Sequence, residues 1–259
     1  MSLTLGIVTE TAPSEARVAA TPDSVRKWAQ MGCTTILEPG AGARAGYMDA
    51  AYQEAGAQMA SRADILSHAD ILLTLQPPPA QEIAALKSGA VLVGFMNGAD
   101  AAVAIAAAHA RGVTVLAMEG VPRISRAQAM DALSSQSSLA GYRAVIEAAA
   151  HFGRAFPMMM TAAGTIPPAK VFVMGAGVAG LQAIATARRM GAAVSATDVR
   201  AAAGEQVQSL GAKFVMDPDV MAAQAETSGG YAREMDESLK QKQAALIAGT
   251  IGAQDIVVT

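Results

Sequence analysis

Short apolar runs separated by helix-length amphipathic stretches recur along the chain. Residues 3–8, 34–37, 70–75, 90–95 and 113–117 read as buried strands. Helical patterning covers residues 49–55, 80–87 and 99–110, and a further helix ends across 65–69. The first helix begins at Thr21-Pro22, with Thr21 as N-cap and Pro22 at the first helical position. Pro77, Pro78 and Pro79 stop the third strand. Strands joined through helices need crossovers, which predicts a parallel sheet covered on both faces. The first half is therefore expected to be a doubly wound α/β domain. A long helical pattern over residues 127–152, ended by Gly153 and Pro157, then leads to a second pattern of the same kind.

That second pattern centres on KVFVMGAGVAGLQAIATARRMGAAVSATDVR, residues 170–200. A strand over 170–174 meets Gly175, Gly177 and Gly180, spaced G-x-G-x-x-G, and a helix follows over 178–190. The first glycine permits a tight turn, the second lets backbone approach a pyrophosphate, and the third lets helix and strand pack closely. Val178 and Ala179 open the helix, whose N-terminal amides and dipole suit phosphate. Asp198 stands about 20 residues beyond the turn, where a carboxylate accepts the hydroxyls of an adenosine ribose. It would repel a 2'-phosphate, which favours NAD over NADP. Arg200 pulls the other way, because a nearby Arg is how a 2'-phosphate is accommodated. Further on, helices over 205–210 and 236–248 and strands over 213–216 and 255–259 continue the winding. Between them AETSGGYAREMDES, with Gly229-Gly230 as a hinge, has the composition of a mobile loop. The expected organisation is two doubly wound, Rossmann-like domains over 1–126 and 153–259, joined by a helix over 127–152.

Composition narrows the partners. A net charge of -3 with no basic patch argues against nucleic acid. The most apolar stretch, residues 101–118, contains His109 and Arg111 and breaks at Gly112, so no membrane span is expected. The start, MSLTLGIVTET, carries no signal-peptide pattern. The single cysteine, Cys33, cannot form an internal disulfide and fits a reducing compartment. His68, His109 and His151 read as structural residues near helix ends.

The remaining polar cluster is VPRISRAQAMDALSSQSSLAGYR, residues 121–143. On a helix, Gln128, Asp131 and Ser134 would share one face, with Arg123 just before them. Such a face offers donors and acceptors to a carboxamide. The alternative is a capping box of Ser125 and Gln128, with Asp131 and Ser134 merely solvated.

The segments PRISRAQAMDALSSQSSLAGYRAVIEAA and MMMTAAGTIPPAKVFVMGAGVAGLQAIATA, with EARVAATP near the start, resemble the NAD(H)-binding domain I of proton-translocating NAD(P) transhydrogenases. The resemblance implies that Arg123, Gln128, Asp131 and Ser134 surround the nicotinamide. It implies that Gly175, Gly177, Val178, Ala179, Gly180, Asp198, Val199 and Arg200 hold the rest of NAD(H), and that Tyr231 of the GGYA loop closes over it. It further implies a homodimer working against a partner domain that carries NADP(H), with membrane-spanning components, peripheral on the cytoplasmic face of a bacterial inner membrane. Hydride would pass directly between the two nicotinamides, with no catalytic acid or base. Members of that family continue with further strands, so the second domain is expected to be incomplete at the C-terminus. A non-catalytic nucleotide-binding module is then an alternative. EARVAATP also resembles alanine dehydrogenase, which would match Arg17 to a substrate carboxylate. The proton-moving lysine and histidine of that enzyme fall at Gln76 and Asn97, neither of which can take a proton.

Overall fold

The computed structural model describes residues 2–122, 124–225 and 236–259. The chain divides into two compact units, Met1–Ala132 and Leu133–Thr259.

The first unit runs β1 (Thr4–Ile7), α1 (Pro22–Gln30), β2 (Thr34–Leu37), α2 (Asp49–Glu54), β3 (Ala57–Met59), α3 (Arg62–His68), β4 (Ile71–Leu73), α4 (Ala80–Ala85), β5 (Val91–Gly94), α5 (Ala101–Arg111) and β6 (Thr114–Ala117). Its six strands are ordered β3-β2-β1-β4-β5-β6, with every pairing parallel. Winding reverses between β1 and β4, which opens a crevice at their carboxyl ends. Ile7, Leu37, Leu72 and Leu92 from the strands and Val25, Ile65 and Ile83 from the helices are fully buried. Each such side chain contributes roughly 1.5–3 kcal/mol on burial. Gly6, inside β1, is there because a Cβ would lie 2.7 Å from Ile65 Cγ2 and 2.8 Å from Ala69 Cβ.

The second unit begins with α6 (Ala132–His151) and an antiparallel hairpin, β7 (Met159–Thr161) and β8 (Gly164–Ile166). It continues through β9 (Lys170–Met174), α7 (Val178–Arg189), β10 (Ala193–Thr197), α8 (Ala203–Ser209), β11 (Lys213–Phe214), α9 (Pro218–Ala225), α10 (Glu237–Ile251) and β12 (Ile256–Val258). The sheet order is β11-β10-β9-β12, all parallel. Central β9 carries Val171 and Val173, buried among Val145, Ile184 and Val207 from the helices, and Phe172, fully buried on the opposite face of the sheet.

Both sheets are parallel and doubly wound, as the pattern predicts. The helix expected over 127–152 differs. Residues Ser125–Met130 form a 3-10 helix, Asp131 follows at φ -76°, ψ 82°, and α6 starts only at Ala132. The Asp131 N–H donates to the Gln128 carbonyl, 3.2 Å away, an i+3 bond that closes the tighter turn. Asp readily leaves the helical region, and continuous alanine patterning hides that break in the sequence. Strand β3, the β7-β8 hairpin and α9 were not expected. β3 and the hairpin strands have three residues each, too few to establish a period of two.

Candidate functional site

Strand β9 ends at Met174, and the three glycines beyond it serve three different needs. Gly175 has φ +99°, a left-handed value that L side chains rarely adopt, and its N–H donates to the Thr197 carbonyl at 2.8 Å. A Cβ on Gly180 would lie 1.8 Å from the Gly175 carbonyl oxygen, so only glycine lets α7 start this close to the turn. Gly177 is the N-cap of α7 and makes no side-chain cap bond; a Cβ there would meet no atom within 4 Å. That open space lies in front of the Val178 and Ala179 amides in the first helical turn, where an anion is favoured.

Asp198 follows β10 and is 8% exposed. Its Oδ2 accepts from the Ala176 N–H at 2.7 Å, inside the glycine turn, so the carboxylate and the backbone of the turn are held as one piece. Its Oδ1 accepts from the Arg200 N–H at 2.9 Å and Nε at 3.0 Å. Burial works to raise the Asp198 pKa, but the hydrogen bonds from Arg200 and Ala176 together outweigh it and leave the carboxyl below its ordinary value. The group is therefore anionic at neutral pH. Arg200 is half-exposed and folded back onto Asp198, so its guanidinium is occupied by the carboxylate. Val199, between them, is exposed.

A cavity of about 290 Å³ opens beside this carboxylate at the carboxyl ends of β9 and β10. Its walls are mainly apolar, with Met216, Val220 and Ile247 among them, and its polar groups are Asp198, Thr197 and Gln243. The sequence reading missed Gln243, which lies on α10 at some distance along the chain from the motif. It also missed Gly141. A Cβ there would lie 2.0 Å from the Ala179 carbonyl oxygen, so glycine lets α6 cross directly over the first turn of α7. Three residues back, the Ser138 hydroxyl donates to Gln182 Oε1 at 3.4 Å.

The expected nicotinamide face takes another form. Gln128 is exposed within the 3-10 helix, Asp131 is half-buried in the break after it, and Ser134 is half-buried in the first turn of α6. They therefore do not share one α-helical face. Nor is Ser125 a capping residue: Ile124 holds the N-cap position of the 3-10 helix, with no side-chain cap bond. Arg123 and Tyr231 lie outside the described residues.

The first unit has its own crevice, a space of about 600 Å³ at the carboxyl ends of β1, β4 and β5. Gln76 and Asn97 line it. Gln76 Nε2 donates to Glu15 Oε2 at 3.1 Å, and Glu15 accepts a fork from Arg17 at 2.7 and 2.6 Å. Hydrogen bonds from Arg17 hold the Glu15 carboxyl down at about 2 against the burial that would raise it. Buried Glu10 accepts the Leu75 and Gln76 N–H groups at 2.6 and 3.1 Å, yet burial still pushes its pKa up. Arg17 is thus engaged by a carboxylate of its own chain.

The chain matches two family models, the N-terminal domain of "Alanine dehydrogenase/PNT" over residues 6–140 and its C-terminal domain over 144–259. The chain belongs to the alanine dehydrogenase/PNT family. Within the family it is 51% identical to an NAD(P) transhydrogenase subunit alpha chain of Rhodospirillum rubrum, across 98% of this chain and 68% of that protein. The solved transhydrogenase of Sinorhizobium meliloti superposes with a TM-score of 0.88 at 50% identity, over 98% of this chain and 68% of that one. Alanine dehydrogenase of Mycobacterium tuberculosis is 34% identical over 81% of this chain and 56% of that protein. Relatives from both branches of the alanine dehydrogenase/PNT family thus align across both units. The sequence is markedly nearer the transhydrogenase branch.

Proposed function

We propose that this chain is the NAD(H)-binding component of a proton-translocating NAD(P) transhydrogenase. The observation that carries the reading is the uncapped N-terminus of α7 at Gly177, tied through the Ala176 N–H to the buried anionic Asp198. Backbone amides there would hold a pyrophosphate, and Asp198 would take the ribose hydroxyls after Arg200 swings aside. A carboxylate in that place repels a 2'-phosphate, which supports NAD(H) over NADP(H).

The bound nicotinamide supplies the hydride chemistry itself. The chain's task is to orient the ring and keep water away. Arg123, Gln128, Asp131 and Ser134 would fix the carboxamide, and Tyr231 would close over it. The functional division would be residues 1–126, a connecting segment over 127–152 and residues 153–259. The complex would be a homodimer that meets an NADP(H)-binding domain and membrane-spanning components on the cytoplasmic face of a bacterial inner membrane. No helix among the described residues is long and apolar enough to cross a membrane.

Amino-acid dehydrogenation is the weaker reading, because Gln76 and Asn97 stand where a proton would have to move. Calorimetric titration with NADH and NADPH tests the proposal, followed by addition of the NADP(H)-binding domain. Selective NADH binding and hydride transfer on reconstitution are expected. NADPH binding as tight as NADH, or no transfer in the complex, would overturn it.

A further inference from the structure

One face of α6 runs from its first turn into the core of the second unit. Ser134, Ser138, Gly141 and Val145 follow one another at helical spacing and so lie along one side of the helix. Val145 packs in the core that also holds α7. At Gly141 the helix crosses the first turn of α7 so closely that a Cβ would lie 2.0 Å from the Ala179 carbonyl oxygen and 2.8 Å from its carbonyl carbon. The Ser138 hydroxyl reaches Gln182, whose Nε2 donates in turn to Thr186 Oγ1 at 3.1 Å. Gly141 and Val145 are the buried residues of α6, so the helix is seated chiefly at this crossing and one turn beyond it. α7 is held more firmly. The Gly175 and Ala176 N–H groups tie its turn to Thr197 and Asp198, and Ala183, Ile184, Thr186 and Ala187 are all buried. A group inserted at the crossing therefore displaces α6 rather than α7.

We propose that Gly141 is a positioning residue for hydride transfer: contact between its bare backbone and Ala179 sets how far Ser134 stands from the turn that would hold the pyrophosphate. The inference rests on the reading above, in which Ser134 fixes the carboxamide, and adds a residue that would touch no part of the nucleotide. Moving a Cβ at position 141 from 2.0 Å out to ordinary contact at 3.4 Å requires α6 to retreat by about 1.4 Å. Ser134 lies two turns, or about 10 Å, nearer the start of the same stiff helix, so the retreat is carried to it. A 1 Å misplacement of this kind costs up to about a hundredfold in rate. Pyrophosphate and ribose would be unaffected, because the turn and Asp198 that hold them stay in place.

The test compares NADH with ADP-ribose, which keeps the adenosine and pyrophosphate and lacks the nicotinamide, on wild type, Gly141→Ala, Ser138→Ala and Ser134→Ala. Folding is checked by circular dichroism, binding by calorimetry, and hydride transfer in single turnovers with the NADP(H)-binding domain added. Gly141→Ala is expected to bind ADP-ribose within about twofold of wild type and to transfer hydride about 30- to 100-fold more slowly. Ser138→Ala, which adds no volume, should slow transfer about two- to threefold, the low end of one net hydrogen bond, and also spare ADP-ribose. A purely structural role would weaken ADP-ribose and NADH together while bound NADH still reacted at the wild-type rate, and that result overturns the proposal. If Gly141→Ala does not fold, Ser138→Ala decides, and transfer at the wild-type rate there overturns it. Ser134→Ala separates the two readings. Unchanged transfer in Ser134→Ala would reject the ring assignment on which the inference rests, whereas slow transfer there beside wild-type transfer in Gly141→Ala would reject the inference alone.

Discussion

The two units place β1 and β9 at the same kind of switch in winding direction, but the helices that follow these strands, α1 and α7, start in opposite ways. In the first unit α1 begins with Pro22, which has no N–H, and the Thr21 hydroxyl accepts the Ser24 N–H. The donors a phosphate would need are removed or taken, and Glu10 and Glu15 add negative charge at that crevice. In the second unit α7 begins at Gly177 with no side-chain cap and an open approach. The same topology therefore yields a helix start capped by its own residues in one unit and an uncapped, open one in the other. Fold alone does not decide which; the chemistry of a few turn residues does.

The strongest way to break this contrast is Gly180→Ala. The added Cβ collides with backbone rather than with a flexible side chain, so a loss of about 3 kcal/mol is expected in urea unfolding, the upper end of overpacking costs. NADH binding should disappear with it. Wild-type stability would refute the turn geometry.

Gly177→Ala sharpens the same contrast by separating binding from folding. Stability should stay within about 0.5 kcal/mol, because φ is -77° and the space is open. NADH affinity measured by calorimetry should nonetheless fall at least about tenfold, since the methyl occupies the phosphate approach. Equal affinity would mean that the open space is not where the pyrophosphate lies.

Asp198→Ala should weaken NADH by about tenfold, as expected for a lost charged hydrogen-bonding partner, and narrow the preference over NADPH. Unchanged affinities for both would sink the ribose assignment. With the partner domain added, Gln128→Ala or Asp131→Ala should slow hydride transfer more than they weaken NADH binding. A transfer rate equal to wild type in stopped-flow would leave these residues without a role at the ring.

The smallest effect concerns the first unit. The Glu15 pKa is lowered from 4.5 to about 2, so its ionised form stabilises the folded state above about pH 4.5, and this contribution is lost as pH falls toward 2. Glu15→Gln should cost about 1 kcal/mol at pH 7, given that Arg17 is half-exposed and screened. The difference from wild type in thermal melts should shrink across that acid window. A constant difference would show that packing, not ionisation, is what Glu15 supplies.

Much of this was legible in the residues. The glycine spacing and Asp198 located the strand–turn–helix because Gly175 and Gly180 answer local backbone demands. The Thr21-Pro22 start of α1 was equally local. Gln128, Asp131 and Ser134 were legible as polar residues three apart, but the shared helical face that this spacing implies does not form, because a single Asp at a non-helical ψ breaks the period. Gly141 and Gln243 were out of reach. Their roles depend on which helix crosses so close that an added Cβ would lie 2.0 Å from a carbonyl oxygen, or reaches the end of a distant strand, and neighbours in sequence say nothing about that.

By itself the sequence determined the parallel α/β winding of both units and the position of the glycine-rich turn, since strand period, crossover length and glycine φ are properties of short segments. Only the tertiary structure decided that Arg200 folds onto Asp198, that Arg17 is spent on Glu15, and that α10 brings an amide to the floor of the cavity. Those are competitions among charged and polar groups for partners, and they are settled by distances that exist only after the chain has folded.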